Sequence, residues 1–235
     1  MKQLPSHRKK CSVLALTAGI LVLGVLALWN SQPCSAGFDP LSHAVVGMHV
    51  SFGSYPQEAE GRSKPISWIV LQKNADSVLL ISAKGLDCAA YAPGSGPVTW
   101  ADSRLRVWLN HKFAYTAFSA AEHQRLLTVH NSNANNPKFK TFGGADTDDK
   151  VFLLSIDEAR KYFPDDKSRM CMPTVYAGKK GAYTAANGNC WSWLRSPGKD
   201  PAHAACIYTY GQVELEGCET RLTNGCVRPV IKVKL

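Results

Sequence analysis

Between Ser12 and Trp29 the chain runs for eighteen residues without a charge, and Lys2, Arg8, Lys9 and Lys10 stand just before that run. As a helix it would be about 27 Å long, close to the hydrocarbon thickness of a bilayer. Basic residues ahead of such a segment keep the N-terminus in the cytoplasm and send the rest of the chain across the membrane. The expectation is a domain folded outside the cytoplasm, periplasmic or at the cell surface, and that condition limits everything downstream. Three fates of the leader compete. Its length favours a retained signal anchor, a transmembrane helix. Cys34-Ser35-Ala36 fits a small-residue cleavage site, in which case the protein is secreted. A lipoprotein signal fits least, because Ser31-Gln32-Pro33 precedes Cys34. The organisation expected is a leader over 1–36, a linker over 37–45 and a single domain over 46–235.

Cysteine usage agrees with export. Of eight cysteines, Cys171, Cys190, Cys206, Cys218 and Cys226 crowd the C-terminal part, and in an oxidising compartment such density reads as disulfides. No Cys-x-x-Cys or Cys-x-x-His pair gives the usual zinc spacing. Connectivity does not follow from spacing, although Cys190 with Cys226 is attractive because each begins an apolar stretch. Removing the leader's four basic residues leaves 23 basic against 18 acidic residues, or +5. That modest excess suits an anionic envelope polymer. Nucleic acid does not fit, since no basic cluster interleaved with aromatics is present.

The folded part reads as α+β. His49 to Tyr55 alternates apolar and polar residues. Ile66 to Gln72 and Val78 to Ala83 then flank the polar Lys73 to Ser77, which is a hairpin pattern. Three capping boxes come next: Thr99 with Asp102, Ser119 with Glu122 and Ser155 with Glu158, predicting helices to about His111, Leu127 and Phe163. On the first, Leu105, Trp108 and Leu109 share a core-facing side. His130 to Lys150 reads as a long polar loop, in which Asp146, Asp148 and Asp149 are either solvated acids or an ion site that departs from the EF-hand pattern. Val151 to Ser155 is a short buried strand. From Met170 onward short strands and glycine turns are expected: Trp191 to Arg195, Cys206 to Tyr210, Gln212 to Glu216 and Val227 to Leu235, with a tight turn at Tyr210-Gly211. Asn189 to Gly198 and Gly225 to Leu235 read as two strands of one small sheet, in a domain whose small sheets are expected to be antiparallel.

Catalytic signatures are sparse. The seven histidines are scattered, and neither His-Glu-x-x-His nor Gly-x-Ser-x-Gly occurs; Gly94-Ser95-Gly96 reads as a loop. A glycosidase pair would have to come from residues such as Asp102, Asp146 or Glu214. No catalytic residue, metal or cofactor is assigned. Arg195 and Arg228 pose a choice. An arginine on an apolar strand must satisfy five donors, so burial against a carboxylate or carbonyls is one reading. The other sets it with Trp191, Trp193 and Tyr208 in a groove for an anionic or glycan ligand.

Stretches spread along the chain resemble a family of bacterial extracytoplasmic domains of unknown function. They are Val50 to Gln57, Ile66 to Leu71, Leu79 to Ser82, Thr99-Trp100, Leu105-Arg106, Trp108-Leu109-Asn110, Ala117-Phe118-Ser119, Asp149 to Ser155, Trp193 to Gly198 and Val227-Arg228-Pro229. More remotely, a Trp-rich strand, a glycine-turned hairpin and a final strand with Gly225-Cys226-Val227-Arg228 are similar to the C-type-lectin-like fold and to formylglycine-generating enzymes. That likeness implies a lectin-like C-terminal half with about three helices before it, and carries no activity with it. The Glu-Pro-Asn and Trp-Asn-Asp motifs of calcium-dependent lectins are missing, and no copper-binding cysteine pair aligns. The expected function is a non-catalytic binding or interaction module at the bacterial envelope, for glycan or protein, with an extracytoplasmic enzyme of unknown reaction as the alternative.

Overall fold

The computed structural model describes residues 39–94 and 96–235; the apolar leader, and Cys11 and Cys34, lie outside them. Among the described residues no helix is long and apolar enough to cross a membrane. The alternating and hairpin patterns become β1 (His49–Pro56), β2 (Ser63–Lys73) and β3 (Ser77–Ser82), paired antiparallel in sequence. Leu41 and Ala44, just before β1, already pack in the same core, and Lys73 donates to the Leu41 carbonyl at 3.0 Å.

After β4 (Asp87–Cys88) comes a helical stretch: α1 (Arg104–Trp108), a π-helical turn (Leu109–Phe113) and α2 (Ala114–Ala117). Its cap differs from expectation. The Thr99 hydroxyl donates to the Asp102 carboxylate at 2.8 Å, and Ser103 caps instead, accepting from the Arg106 N–H. The Ser119 and Ser155 boxes form as expected, opening α3 (Ala120–Arg125) and, after four short strands, α4 (Ile156–Tyr162). Those strands are β5 (Leu126–Leu127), β6 (Val129–Asn131), β7 (Thr147–Asp149) and β8 (Val151–Phe152). The ends of the long polar loop therefore pair with each other, β6 with β7. Two one-turn helices without apolar periodicity, α5 (Asp166–Arg169) and α6 (Val175–Lys179), complete the helical part.

The C-terminal half is β9 (Ser192–Pro197), β10 (His203–Ile207), β11 (Val213–Glu219), β12 (Cys226–Val227) and β13 (Val230–Lys234). A five-stranded sheet runs β11-β10-β9-β12-β4, and a six-stranded sheet runs β1-β2-β3-β13-β5 with β8 also on β13. The Trp-rich strand and the chain's last stretch thus share a sheet only as far as Val227, and there β12 runs parallel to β9. At Pro229 the chain changes sheet. Proline has no N–H for a ladder, and its carbonyl accepts from the Ser82 N–H at 2.9 Å, so the polypeptide leaves one sheet and inserts β13 into the middle of the other. That central position explains an apolar run that does not alternate cleanly: Val230, Ile231 and Val233 are all fully buried. The result is an α+β domain closed by its own C-terminus.

The Tyr210-Gly211 turn forms as expected, with the Gly211 N–H on Tyr208 O and the Tyr208 N–H on Gln212 O. Glycine is required there. Its φ is +86°, and a Cβ would stand 1.7 Å from Asp166 O.

Candidate functional site

Five residues were singled out by the sequence for ligand binding, and the fold separates them. Arg195 on β9 is buried, with its fork on Glu158: Nη2 donates to Oε1 at 3.0 Å and Nη1 to Oε2. Nη1 also donates to Leu153 O at 2.9 Å and Nη2 to Ser132 O at 3.3 Å. Glu158 meanwhile accepts from the Ser155 N–H at 2.9 Å, so a single carboxylate caps α4 and anchors β9. Arg228 is buried too. Its Nε donates to Ser82 O at 2.9 Å, its Nη1 to Arg169 O at 3.1 Å, and its guanidinium lies 5.2 Å from the Phe163 ring centre. Trp193 is fully buried with Nε1 on Ala89 O at 2.9 Å. The hydrogen bonds these three side chains make all run to partners inside the fold, and the Arg195 Nε stays buried without a protein partner.

Trp191 and Tyr208 come together elsewhere. With Tyr183, Leu222 and Asn224 they line an open hollow of about 270 Å³ on the five-stranded sheet side of the domain. Trp191 stands edge-on to Trp193, ring centres 4.6 Å apart, and its six-membered ring rests on Gly225, where a Cβ would approach to 2.3 Å. Glycine at 225 is what lets the indole sit there. Tyr183 is tied in by its N–H on Asn224 O at 3.0 Å. The side-chain oxygen of Asn224 is buried and has no protein partner. Burial, with Cys206, Cys218, Glu214 and Glu216 nearby, pushes the Tyr208 hydroxyl up to about 12, so it is a neutral donor at any physiological pH. Sequence reasoning did not find Tyr183, Leu222 or Asn224, because no periodicity links them to the strand that carries Trp191.

Below the hollow, Cys218 approaches Cys206, sulfur to sulfur 2.9 Å. Register alone would not place them so: Cys218 pairs with Ala204 and Cys206 with Glu214. Diagonal cross-strand neighbours are normally about 7–8 Å apart, and the irregularity at Gly217 closes the gap. A second group collects Cys88, Cys171, Cys190 and Cys226. There Cys171 and Cys190 face each other with sulfurs 3.6 Å apart, and Cys226 pairs with Cys88 across β12 and β4. The Cys171 thiol is held high by its contact with Cys190 and by burial. Cys190 is also held high: the contact with Cys171 lowers it, but the contact with Cys226 and burial outweigh that. Both stay protonated, the opposite of what a nucleophilic cysteine needs. Among the described residues no group of three or more His, Cys, Asp or Glu side chains is placed to hold a metal ion.

The acids of the long loop divide in two. Asp149 is fully buried and accepts from Trp100 Nε1 at 3.0 Å, Arg106 Nε at 2.7 Å, Asn131 Nδ2 at 3.1 Å and Thr147 Oγ1 at 2.8 Å. It is a structural hub. Asp148 and Asp146 remain exposed on either side of His130, at 2.9 Å from Nδ1 and 3.5 Å from Nε2. The hydrogen bond to Asp148, then the two carboxylate charges, raise the His130 pKa above its ordinary 6.5 against a smaller solvation loss. A raised histidine contributes stability that is whole below pH 6.5 and is lost as pH rises through its folded value. The β6–β7 hairpin should therefore loosen on the alkaline side. An NMR titration should place the His130 midpoint above 6.5, and a midpoint below it would contradict the geometry.

With the fold and these surfaces placed, the class is an α+β domain of two principal sheets bridged by its own last strands. The chain belongs to the family described as domain of unknown function DUF6273, whose family model matches residues 75–235. The match begins just before β3, so β1 and β2 precede it. No curated protein and no solved structure matches the chain.

Proposed function

We propose that the domain is a non-catalytic binding module of the bacterial cell envelope, held at the membrane by its N-terminal apolar segment, and that it recognises a glycan in the hollow of Tyr183, Trp191 and Tyr208. One observation carries this reading: three aromatic side chains line one hollow together with Asn224, whose side-chain oxygen is buried and left without a protein partner. Aromatic faces stack on the C–H faces of sugars, while an amide acceptor and a neutral tyrosine hydroxyl suit ring hydroxyls. Nothing in this arrangement requires calcium, consistent with the missing lectin motifs. A glycan array probed with the full-length chain should give hits that Tyr208→Ala weakens by about tenfold, the worth of one aromatic contact. Hits that survive both Tyr208→Ala and Tyr183→Ala would sink the reading.

Outside the cytoplasm, Cys206 and Cys218 are proposed to close into a disulfide beneath the hollow, supported by the 2.9 Å approach of their sulfurs. Non-reducing peptide mapping of protein purified from the envelope should recover these two cysteines in one linked pair. Recovery of both as free thiols would contradict the pairing.

A further inference from the structure

The helical stretch after Ser103 has a second side. Its inward positions are Leu105, Leu109 and Phe113, all fully buried. Arg104, Val107, His111 and Lys112 face out, and Trp108 lies between, half-buried. The π turn over Leu109–Phe113 widens the spacing at this point, and such turns recur at functional sites. Trp108 is thus not a wholly core residue, as its spacing had suggested.

Beside these outward residues lies an open cleft of about 590 Å³. Carbon lines it: Ala89, Pro93, Leu105, Val107 and the indole of Trp108. Its polar rim is Arg104, His111 and Lys112, and no carboxylate or side-chain amide belongs to the lining. Neither Arg104 nor Lys112 forms an ion pair among the described residues. The cleft shares no lining residue with the aromatic hollow.

That chemistry selects an occupant. A neutral sugar would leave the two cationic groups of the rim without a counter-charge. A flat bilayer would not fill a concave apolar floor. An aliphatic or aromatic side chain flanked by carboxylates satisfies both parts, the floor by burial and the rim by charge complementarity. We infer that this cleft docks an acidic peptide segment of a partner protein, with an apolar side chain against Val107 and Trp108 and its carboxylates on Arg104 and Lys112. The docking is independent of glycan binding.

The test is selection of a displayed random heptapeptide library on the full-length chain. Enriched sequences should carry two or more Asp or Glu around a Leu, Ile, Phe or Trp. Synthetic peptides made from them should bind about tenfold more weakly to each of Arg104→Glu and Lys112→Glu, and more weakly again as salt is raised. Both side chains are exposed, so the variants should melt as the parent does. Val107→Asp tests the apolar floor separately and should also weaken binding. No enrichment, enrichment of neutral or basic sequences, or binding unchanged in the charge-reversal variants would overturn the inference. So would capture by phosphatidylglycerol vesicles, lost in the same variants, without peptide binding, since it would assign the cleft to lipid.

Discussion

Asp149→Ala is expected to destabilise the domain by about 3–5 kcal/mol, the range for removing one partner of a buried ion pair. Four donors converge on this carboxylate, from Trp100, Arg106, Asn131 and Thr147. Alanine would leave the fully buried Trp100 indole N–H without an acceptor and the Arg106 guanidinium without its counter-charge. A fifth donor, Asn110 Nδ2, lies at 3.3 Å, while the Asn110 side-chain oxygen accepts from the N–H groups of Lys150 and Val151. The loss would therefore spread from the helical stretch into β7 and β8. Asp149→Asn keeps an acceptor and should recover part of the loss, because the charge is gone while some hydrogen bonds remain. Urea unfolding of the three proteins measures the difference. An alanine variant within about 0.5 kcal/mol of the parent, the effect of an ordinary surface change, would remove Asp149 from the role of hub.

Arg195→Lys is expected to cost about 3 kcal/mol even though the charge is conserved. A lysine places one ammonium where a planar fork now meets both oxygens of Glu158 and the carbonyls of Leu153 and Ser132. It cannot reach all of them. Carbonyls left bare inside the fold add their desolvation to the cost. The alternative role, with Arg195 as a ligand contact, makes a different forecast: parental stability with binding abolished. Thermal melts of the variant beside glycan binding by the same sample separate the two, and a melting temperature equal to the parent's would contradict the structural role.

Much of the scaffold is legible in the sequence, and the parts that are not share a physical cause. The boxes at Ser119 and Ser155 are local, since cap and acid meet within one turn, and both form as expected. Thr99 with Asp102 has the same spacing, but there the hydroxyl meets the acid without accepting a backbone N–H, and Ser103 caps one turn later. The β2–β3 hairpin and the Tyr210-Gly211 turn are equally local. What escaped is decided by contacts distant in sequence. Asp149 looks like one more acid of a polar loop, and it is donors distant in sequence, Trp100 49 residues away and Arg106 43 residues away among them, that turn it into a hub. Val227 to Leu235 reads as one strand, and its break at Pro229 depends on β3 waiting to receive β13. Of the site, the chain announced Trp191 and Tyr208. It gave no sign that Tyr183 and Asn224 would join them, whereas the inward turn of Arg195 and Arg228 is the reading that five donors on an apolar strand already offered.

Glycan recognition in the aromatic hollow is tested by titrating a glycan-array hit into the full-length chain while the indole N–H signals of its six tryptophans are followed by NMR. The Trp191 signal is expected to move with saturation, while Trp193, held on Ala89 O, and Trp108, in the other cleft, stay in place. A saturable shift at Trp108 with none at Trp191, or glycan binding that moves neither, would contradict recognition at this hollow.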